Sequence, residues 1–199
     1  MTTHPWFPIP VYINKAEGEE FDTIQKELTN ICDNLNFSQN PNWTTDTHDL
    51  SIGESGDFFN DDILSENNAD KFLEFIHKNV TTYLNDIGCK EKRSYVIANS
   101  WFTKTTNGKY AHLHDHGEYD ISGVYYLNTN GNDGHLMFPN PQKQYACNFI
   151  FSQISRSYAG LPLENGIIAL WPSMLQHNTE PNKTDNDRIS ISFNIKFGL

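Results

Sequence analysis

Three histidines alternate along one short stretch of the chain, His112, His114 and His116, and a fourth, His177, follows far downstream. In an extended strand, residues two apart point the same way, so His114 and His116 can grasp one metal ion from a single strand. Imidazole suits iron, zinc, copper or nickel, and a facial set of three ligands leaves positions open for a substrate and dioxygen. His177 comes after a stretch that ends at Trp171-Pro172, a place from which it could supply the third ligand. A His-x-His by itself is a weak signal, because histidine is also common on surfaces. Glu118 offers a different register, a His116-x-Glu118 pair, and His112 points inward by the same parity unless it frays into the Asn107-Gly108 turn.

A second group lies beyond His177. Arg188 and Ser190 share one face of a candidate strand. A guanidinium captures a carboxylate through two parallel hydrogen bonds, and a serine hydroxyl adds a further donor. If Arg188 is buried it needs an anionic partner to offset its desolvation. If it is exposed, Asp185 or Asp187 would pair with it, and such pairs contribute little. The chain shows no P-loop, no Gly-rich dinucleotide turn, no Cys-His nucleophile pair and no paired carboxylates for acid–base work.

These residues need elements to carry them. The first half reads as helical. After an opening strand at Ile9–Ile13, apolar residues at Phe21, Ile24, Leu28, Ile31 and Leu35 make a one-sided stripe over Glu19–Leu35. Residues 38–62 are polar and read as a long surface loop. A second helix is predicted from an Asn68 N-cap to about Gly88, with Phe72, Phe75, Ile76, Val80, Tyr83, Leu84 and Ile87 on one side.

After Arg93 the period changes to short β-branched and aromatic runs. The predicted strands are Tyr95–Phe102, Ala111–His116, Ile121–Leu127, His135–Phe138, Asn148–Ile154, Gly166–Trp171 and Arg188–Phe197. In the last, Ile189, Ile191, Phe193, Ile195 and Phe197 form one face, while Arg188, Ser190, Ser192 and Asn194 form the other. The apolar face calls for the two helices as cover, and the polar face suits the lining of a pocket. Six or seven such strands suggest a sandwich or barrel. We expect one domain over 1–199, with a supporting part at 1–93 and a β core carrying the metal site at 94–199.

Composition narrows the partners. Of 199 residues, 37% are hydrophobic and 13% aromatic, as in a globular chain. The formal net charge of −11 repels phosphate backbones, which argues against nucleic acid. The longest apolar runs, such as Ile167–Trp171, are too short to span a bilayer, and the start lacks a basic and apolar leader, so the expected compartment is the cytoplasm. Cys32, Cys89 and Cys147 form no metal-type pair and read as free buried thiols.

Taken together, Gly166-Ile-Ile-Ala-Leu-Trp-Pro-Ser-Met-Leu-Gln-His177, Pro181 and Arg188-Ile-Ser-Ile-Ser-Phe-Asn194 resemble the second half of the 2-oxoglutarate and Fe(II)-dependent oxygenase superfamily. Leu113-His-Asp-His-Gly-Glu-Tyr-Asp-Ile-Ser-Gly-Val-Tyr-Tyr-Leu-Asn128 resembles its first half, within a small bacterial and phage branch, and is distantly similar to prolyl hydroxylases. The resemblance covers about residues 95–197. It implies a mainly β fold, a double-stranded β-helix (jelly roll, cupin-like), with two amphipathic helices packed on one sheet.

It also implies Fe(II) and 2-oxoglutarate as cofactors, dioxygen as co-substrate, and hydroxylation of a prime substrate that is a small molecule or a protein side chain. Carried over by position, His114 and His177 match the metal histidines, and His116 stands where most of the superfamily has a carboxylate. Arg188, with Ser190 beside it and Tyr126, matches the residues that hold the far carboxylate of 2-oxoglutarate. Asn99 and Trp101 fall on a neighbouring strand and are candidates for the lining. Two other readings stay open. One is a cupin-like three-histidine dioxygenase or hydrolase that uses no 2-oxoglutarate. The other is a non-catalytic jelly-roll binding module, with Trp43, Trp101 and tyrosines as a stacking platform. A monomer and an oligomer both stay open.

Overall fold

The structure, a computed structural model, describes residues 8–56, 61–90, 94–142, 149–153 and 156–198. The helical stripe of the first half becomes α1 (Gly18–Asp33), which buries Ile24, Leu28 and Ile31. It is preceded by the edge strand β1 (Tyr12–Lys15), and followed by the short strands β2 (Phe37–Ser38) and β3 (Asp49–Ser51). Part of the expected surface loop is thus sheet, and Leu50 is fully buried.

A short helix not foreseen from the sequence, α2 (Ile63–Glu66), comes before α3 (Asp70–Asp86). Asn68 is not the N-cap of α3. It sits at φ 52°, in the left-handed region. There it closes α2, with the Ala69 N–H donating back to the Leu64 carbonyl at 2.9 Å, a common way for a helix to end. The open N–H groups of α3 are met from the neighbouring helix instead. The Glu27 carboxylate of α1 accepts from Lys71 N at 3.1 Å and from Phe72 N at 2.8 Å. Those bonds satisfy two orphan donors and set a negative charge at the positive end of the helix dipole. Gly88, at φ 74°, ends the helix where the sequence indicated, in a conformation that glycine adopts freely.

The second half supplies β4 (Tyr95–Thr105), β5 (Ile121–Asn128), β6 (Leu136–Pro139), α4 (Phe149–Ser152), β7 (Tyr158–Gly160), β8 (Ile167–Pro172), β9 (Asn178–Thr179) and β10 (Arg188–Phe197). Seven strands form an antiparallel sheet in the order β1-β8-β5-β10-β4-β3-β2, and a three-stranded sheet has the order β7-β6-β9. This is a jelly roll. Two expected strands are corrected. Within Asn148–Ile154 the chain forms the short helix α4; Asn148 and Ile154 lie outside the described residues. Ala111–His116 makes one isolated bridge, His114 with His177, rather than a ladder.

Period-two alternation decides what each face of the large sheet does. Tyr125 of β5, Ile168 and Leu170 of β8, and Ile191, Phe193 and Ile195 of β10 pack under the helices with Phe72, Phe75 and Ile76. The Phe72 ring lies 4.9 Å from Tyr125 and 6.4 Å from Phe193 between centroids. Gly123 belongs to this face because a Cβ there would stand 2.3 Å from the Phe193 ring and 2.9 Å from Leu170. The other face turns inward: Tyr126, Trp171, Ser190 and Asn194 line a cavity together with Leu136 of the small sheet. Among the described residues no helix is long and apolar enough to cross a membrane. Cys32 is half-buried and Cys89 exposed, the latter against expectation, and Cys147 lies outside the described residues.

Candidate active site

The cavity has a volume of about 840 Å³ and holds all six of the residues singled out from the sequence: His114, His116, His177, Tyr126, Arg188 and Ser190. His114, His116 and His177 offer ligand nitrogens that all lie within 4.8 Å of one another. The backbone arranges this without a regular strand. His114 and His177 exchange both main-chain hydrogen bonds, at 3.0 and 2.9 Å, and His116 N donates to the Ser173 carbonyl at 2.8 Å. Their ring centroids are 4.3 Å (His114–His177), 5.1 Å (His114–His116) and 5.2 Å (His116–His177) apart.

Each imidazole is turned by a bond on its inner nitrogen. Nδ1 of His114 donates to the His112 carbonyl at 2.7 Å, Nδ1 of His177 to the Leu175 carbonyl at 3.0 Å, and Nδ1 of His116 to Asn194 Oδ1 at 2.7 Å. An oxygen acceptor on Nδ1 puts the proton there and leaves the Nε2 lone pair to face a metal, which is how metal-binding histidines are oriented. Asn194 is itself fixed by Asn99 at 2.9 Å and by the Ser122 hydroxyl at 2.7 Å.

Burial first, and then mutual repulsion, lowers the pKa of His177 to about 3. Burial is also the chief cause that lowers His114 and His116. All three therefore stay neutral at pH 7, the form a metal requires. Three converging neutral imidazoles fit a divalent first-row ion. Glu118 lines the mouth of the cavity but is exposed and is not one of the converging group. His112 contributes its carbonyl, while its ring bonds Thr44 at 2.9 Å near the surface.

The other end of the cavity is cationic. Arg188 is 2% exposed, and its Nη1 donates to the Asp133 carbonyl at 2.9 Å and to the Gly134 carbonyl, its Nη2 to Thr105 Oγ1 at 3.2 Å. All three acceptors are uncharged, and the buried Nε has no partner. The surface pairs open to an exposed Arg188 do not form: Asp187 pairs with Lys104 at 3.2 Å, and Asp185 accepts from Asn107. The carboxylate of Asp133 is turned into its own loop, where Thr129 Oγ1, Asn130 N and Asn186 Nδ2 donate to it at 2.6, 2.9 and 2.8 Å. Gly134, at φ +96°, brings the loop against Arg188, because a Cβ would stand 2.3 Å from the Glu180 carbonyl and 3.2 Å from Nη1. Only glycine combines that backbone angle with so close an approach. Tyr126 is buried beside it, and burial pushes its phenol up to about 12 in spite of Arg188.

Asn99 and Trp101 line the cavity, as does Trp43 from the loop before β3. Sequence reasoning missed six contributors. Asn194 was already placed on the inward face of the last strand, and Ser122 shares a face with Tyr126 by the same parity, so their role in fixing His116 could have been drawn from it. Thr105 and the carbonyls of Asp133 and Gly134 carry no sequence signal, since main-chain acceptors have none. His48 was lost in a polar stretch, yet it is 7% exposed and lines the same cavity.

Residues 99–194 match the family model described as "Putative 2OG-Fe(II) oxygenase". Comparison with curated proteins gave no match. Among solved structures, HygX from Streptomyces hygroscopicus with nickel and 2-oxoglutarate bound superposes with a TM-score of 0.60 at 10% identity, covering 94% of this chain and 83% of that one. A Pseudomonas putida prolyl-4-hydroxylase gives 0.61 at 13% identity, with 94% and 93% covered. The non-haem, α-ketoglutarate-dependent epimerase SnoN from nogalamycin biosynthesis gives 0.63 at 11%, with 94% and 77% covered. At these identities the likeness to each structure is one of fold.

Proposed function

We propose, from the match of residues 99–194 to the 2OG-Fe(II) oxygenase family model, that the chain belongs to that family and hydroxylates a prime substrate at a centre built by His114, His116 and His177. The enzyme is an Fe(II)- and 2-oxoglutarate-dependent oxygenase with dioxygen as co-substrate. In this reading Arg188, Ser190 and Tyr126 hold the distal carboxylate of 2-oxoglutarate. The observation that carries the reading is the unpartnered Nε of buried Arg188 in the same cavity as three histidines with free Nε2 lone pairs. A buried guanidinium held by neutral oxygens alone keeps its charge for a ligand, and a carboxylate is the ligand that fits its planar fork.

When bound, Fe(II) supplies the activation of dioxygen that converts 2-oxoglutarate to succinate and carbon dioxide and inserts one oxygen atom into a C–H bond of the prime substrate. The chain's own groups bind and orient. Three neutral imidazoles leave the full charge of the ion uncompensated, so the site as a whole attracts a dianion more strongly than one with a carboxylate ligand. The apolar wall of Val124, Leu136 and Trp171 keeps the cavity low in polarity. Its volume of about 840 Å³ leaves room for a second molecule beside a five-carbon diacid. The second molecule is a small metabolite or a protein side chain, and the acidic balance of the chain disfavours a phosphate-rich polymer.

The three-histidine reading without 2-oxoglutarate needs Arg188 in a surface ion pair, and a simple binding module gives the histidines no reason to converge. Neither description suits the cavity. The test is carbon dioxide release from 2-oxoglutarate labelled at C1, in air with Fe(II) and ascorbate. We expect release that depends on Fe(II) and disappears in His177→Ala and Arg188→Ala. Iron-dependent oxygen uptake that is indifferent to 2-oxoglutarate would overturn the reading.

A further inference from the structure

Among the described residues, four buried side-chain atoms have no hydrogen-bond partner, and three of them, Arg188 Nε, Trp171 Nε1 and His48 Nδ1, belong to residues lining this cavity. His48 comes from outside the family match, in the segment that leads into β3. Its place is fixed by the main chain: His48 N donates to the Tyr110 carbonyl at 3.3 Å, and β3 pairs with β4 through Asp49 and Leu50. Its ring stands edge-on to Trp43 with centroids 5.5 Å apart and planes at 84°. The side chain therefore lines the cavity with Nδ1 outside hydrogen-bond geometry to any partner, while the Tyr110 main chain also acts on the ring.

Two charged or chargeable groups act on it most strongly, Arg188 and then His114. These stand at the carboxylate-binding end and the metal-binding end of the site. His48, Arg188 and His114 line one cavity, so the imidazole borders the space that a diacid held between Arg188 and the histidines would fill. Burial and the Arg188 charge keep the ring uncharged, so it adds a hydrogen-bond donor and no second positive charge.

We propose that His48 is a further co-substrate-binding residue, whose Nδ1–H donates to a carboxylate oxygen of the 2-oxoglutarate held at Arg188. This rests on the assignment of Arg188 made above. It ties a segment ahead of the jelly-roll core to the co-substrate. It also gives that carboxylate a neutral donor in addition to the guanidinium.

The experiment measures 2-oxoglutarate binding by calorimetry to the full-length, Ni(II)-loaded protein, in wild type, His48→Leu, His48→Asn and Arg188→Ala. Loss of one hydrogen bond to a charged group weakens binding about ten-fold or more. We expect that loss in His48→Leu with nickel affinity unchanged. Asn places an N–H near the position of Nδ1, and His48→Asn should recover most of the binding. Wild-type 2-oxoglutarate affinity in a nickel-binding His48→Leu would overturn the proposal. Should the leucine variant not fold, nitrogen NMR of wild type decides: 2-oxoglutarate must shift the His48 Nδ1 signal and slow the exchange of its proton, and an unmoved signal overturns it. Unchanged binding in Arg188→Ala would instead defeat the underlying assignment, so the two failures are told apart.

Discussion

His114 and His177 form a closed main-chain pair, each donating its N–H to the other's carbonyl, at 3.0 and 2.9 Å. Residues that exchange both bonds face each other across a bridge with their side chains on one side. Two of the three proposed ligands are thus juxtaposed by the backbone. Their rings meet at 4.3 Å because the chain path puts them there.

It follows that removing one ring removes metal binding and leaves the fold. His177→Ala should lose Fe(II) or Ni(II) binding by calorimetry, while far-UV dichroism stays that of wild type. The melting point of the metal-free protein should fall by no more than a large-to-small core change of ~2–4 kcal/mol would cause. Binding that survives the substitution would remove His177 from the ligand set.

The bond between His116 Nδ1 and Asn194 Oδ1, 2.7 Å long, fixes the ring and its tautomer. Asn194→Ala should weaken metal binding about 10- to 100-fold, the usual consequence of removing a partner behind a ligand. Titration with Ni(II) beside wild type measures this. An equal affinity would mean that Ser122, 3.2 Å from the same nitrogen, suffices.

Acid should destabilise the metal-free protein early. Histidine titrates at roughly 6.5 in an unfolded chain, whereas His48 and His177 titrate at about 3 in the folded one. Between those values the unfolded chain takes up protons that the folded one refuses, so this stability is full above about pH 6.5 and drains away as the pH falls. Melting points of metal-free protein should decline steadily from about pH 7 to about pH 4, and less steeply in His48→Asn. A flat profile would contradict the buried neutral imidazoles.

Gly123, in the Ser122-Gly123-Val124-Tyr125-Tyr126 run, is small because Phe193 lies against it. Gly123→Ala would put a Cβ 2.3 Å from that ring and should cost ~1–3 kcal/mol by overpacking. Urea unfolding measures the loss. Gly123→Ala combined with Phe193→Leu should recover part of it.

Much of this was legible in the sequence, for a definite reason. Alternation along β10 separates Arg188, Ser190 and Asn194 from Ile191, Phe193 and Ile195, and period two is a local property of a strand. The helical stripes of α1 and α3 were legible in the same way. What failed was non-local. The N-terminus of α3 is capped by Glu27 from another helix, so no local residue marks it, and Asn68 closes α2 instead. The alternation over Ala111–His116 predicts a strand, whereas one isolated bridge at His114 and one bond from His116 N to the Ser173 carbonyl set its parity. His48 enters the site through the pairing of β3 with β4, and no spacing within residues 38–62 announces it.

The most direct test of the central claim is an anaerobic titration with Fe(II) and then 2-oxoglutarate, followed by the visible metal-to-ligand charge-transfer band of the ternary complex. The account predicts a band in wild type, none in His177→Ala, and in Arg188→Ala a band only at much higher 2-oxoglutarate. Tight Fe(II) binding that depends on His114, His116 and His177 but gives no band with 2-oxoglutarate would contradict it.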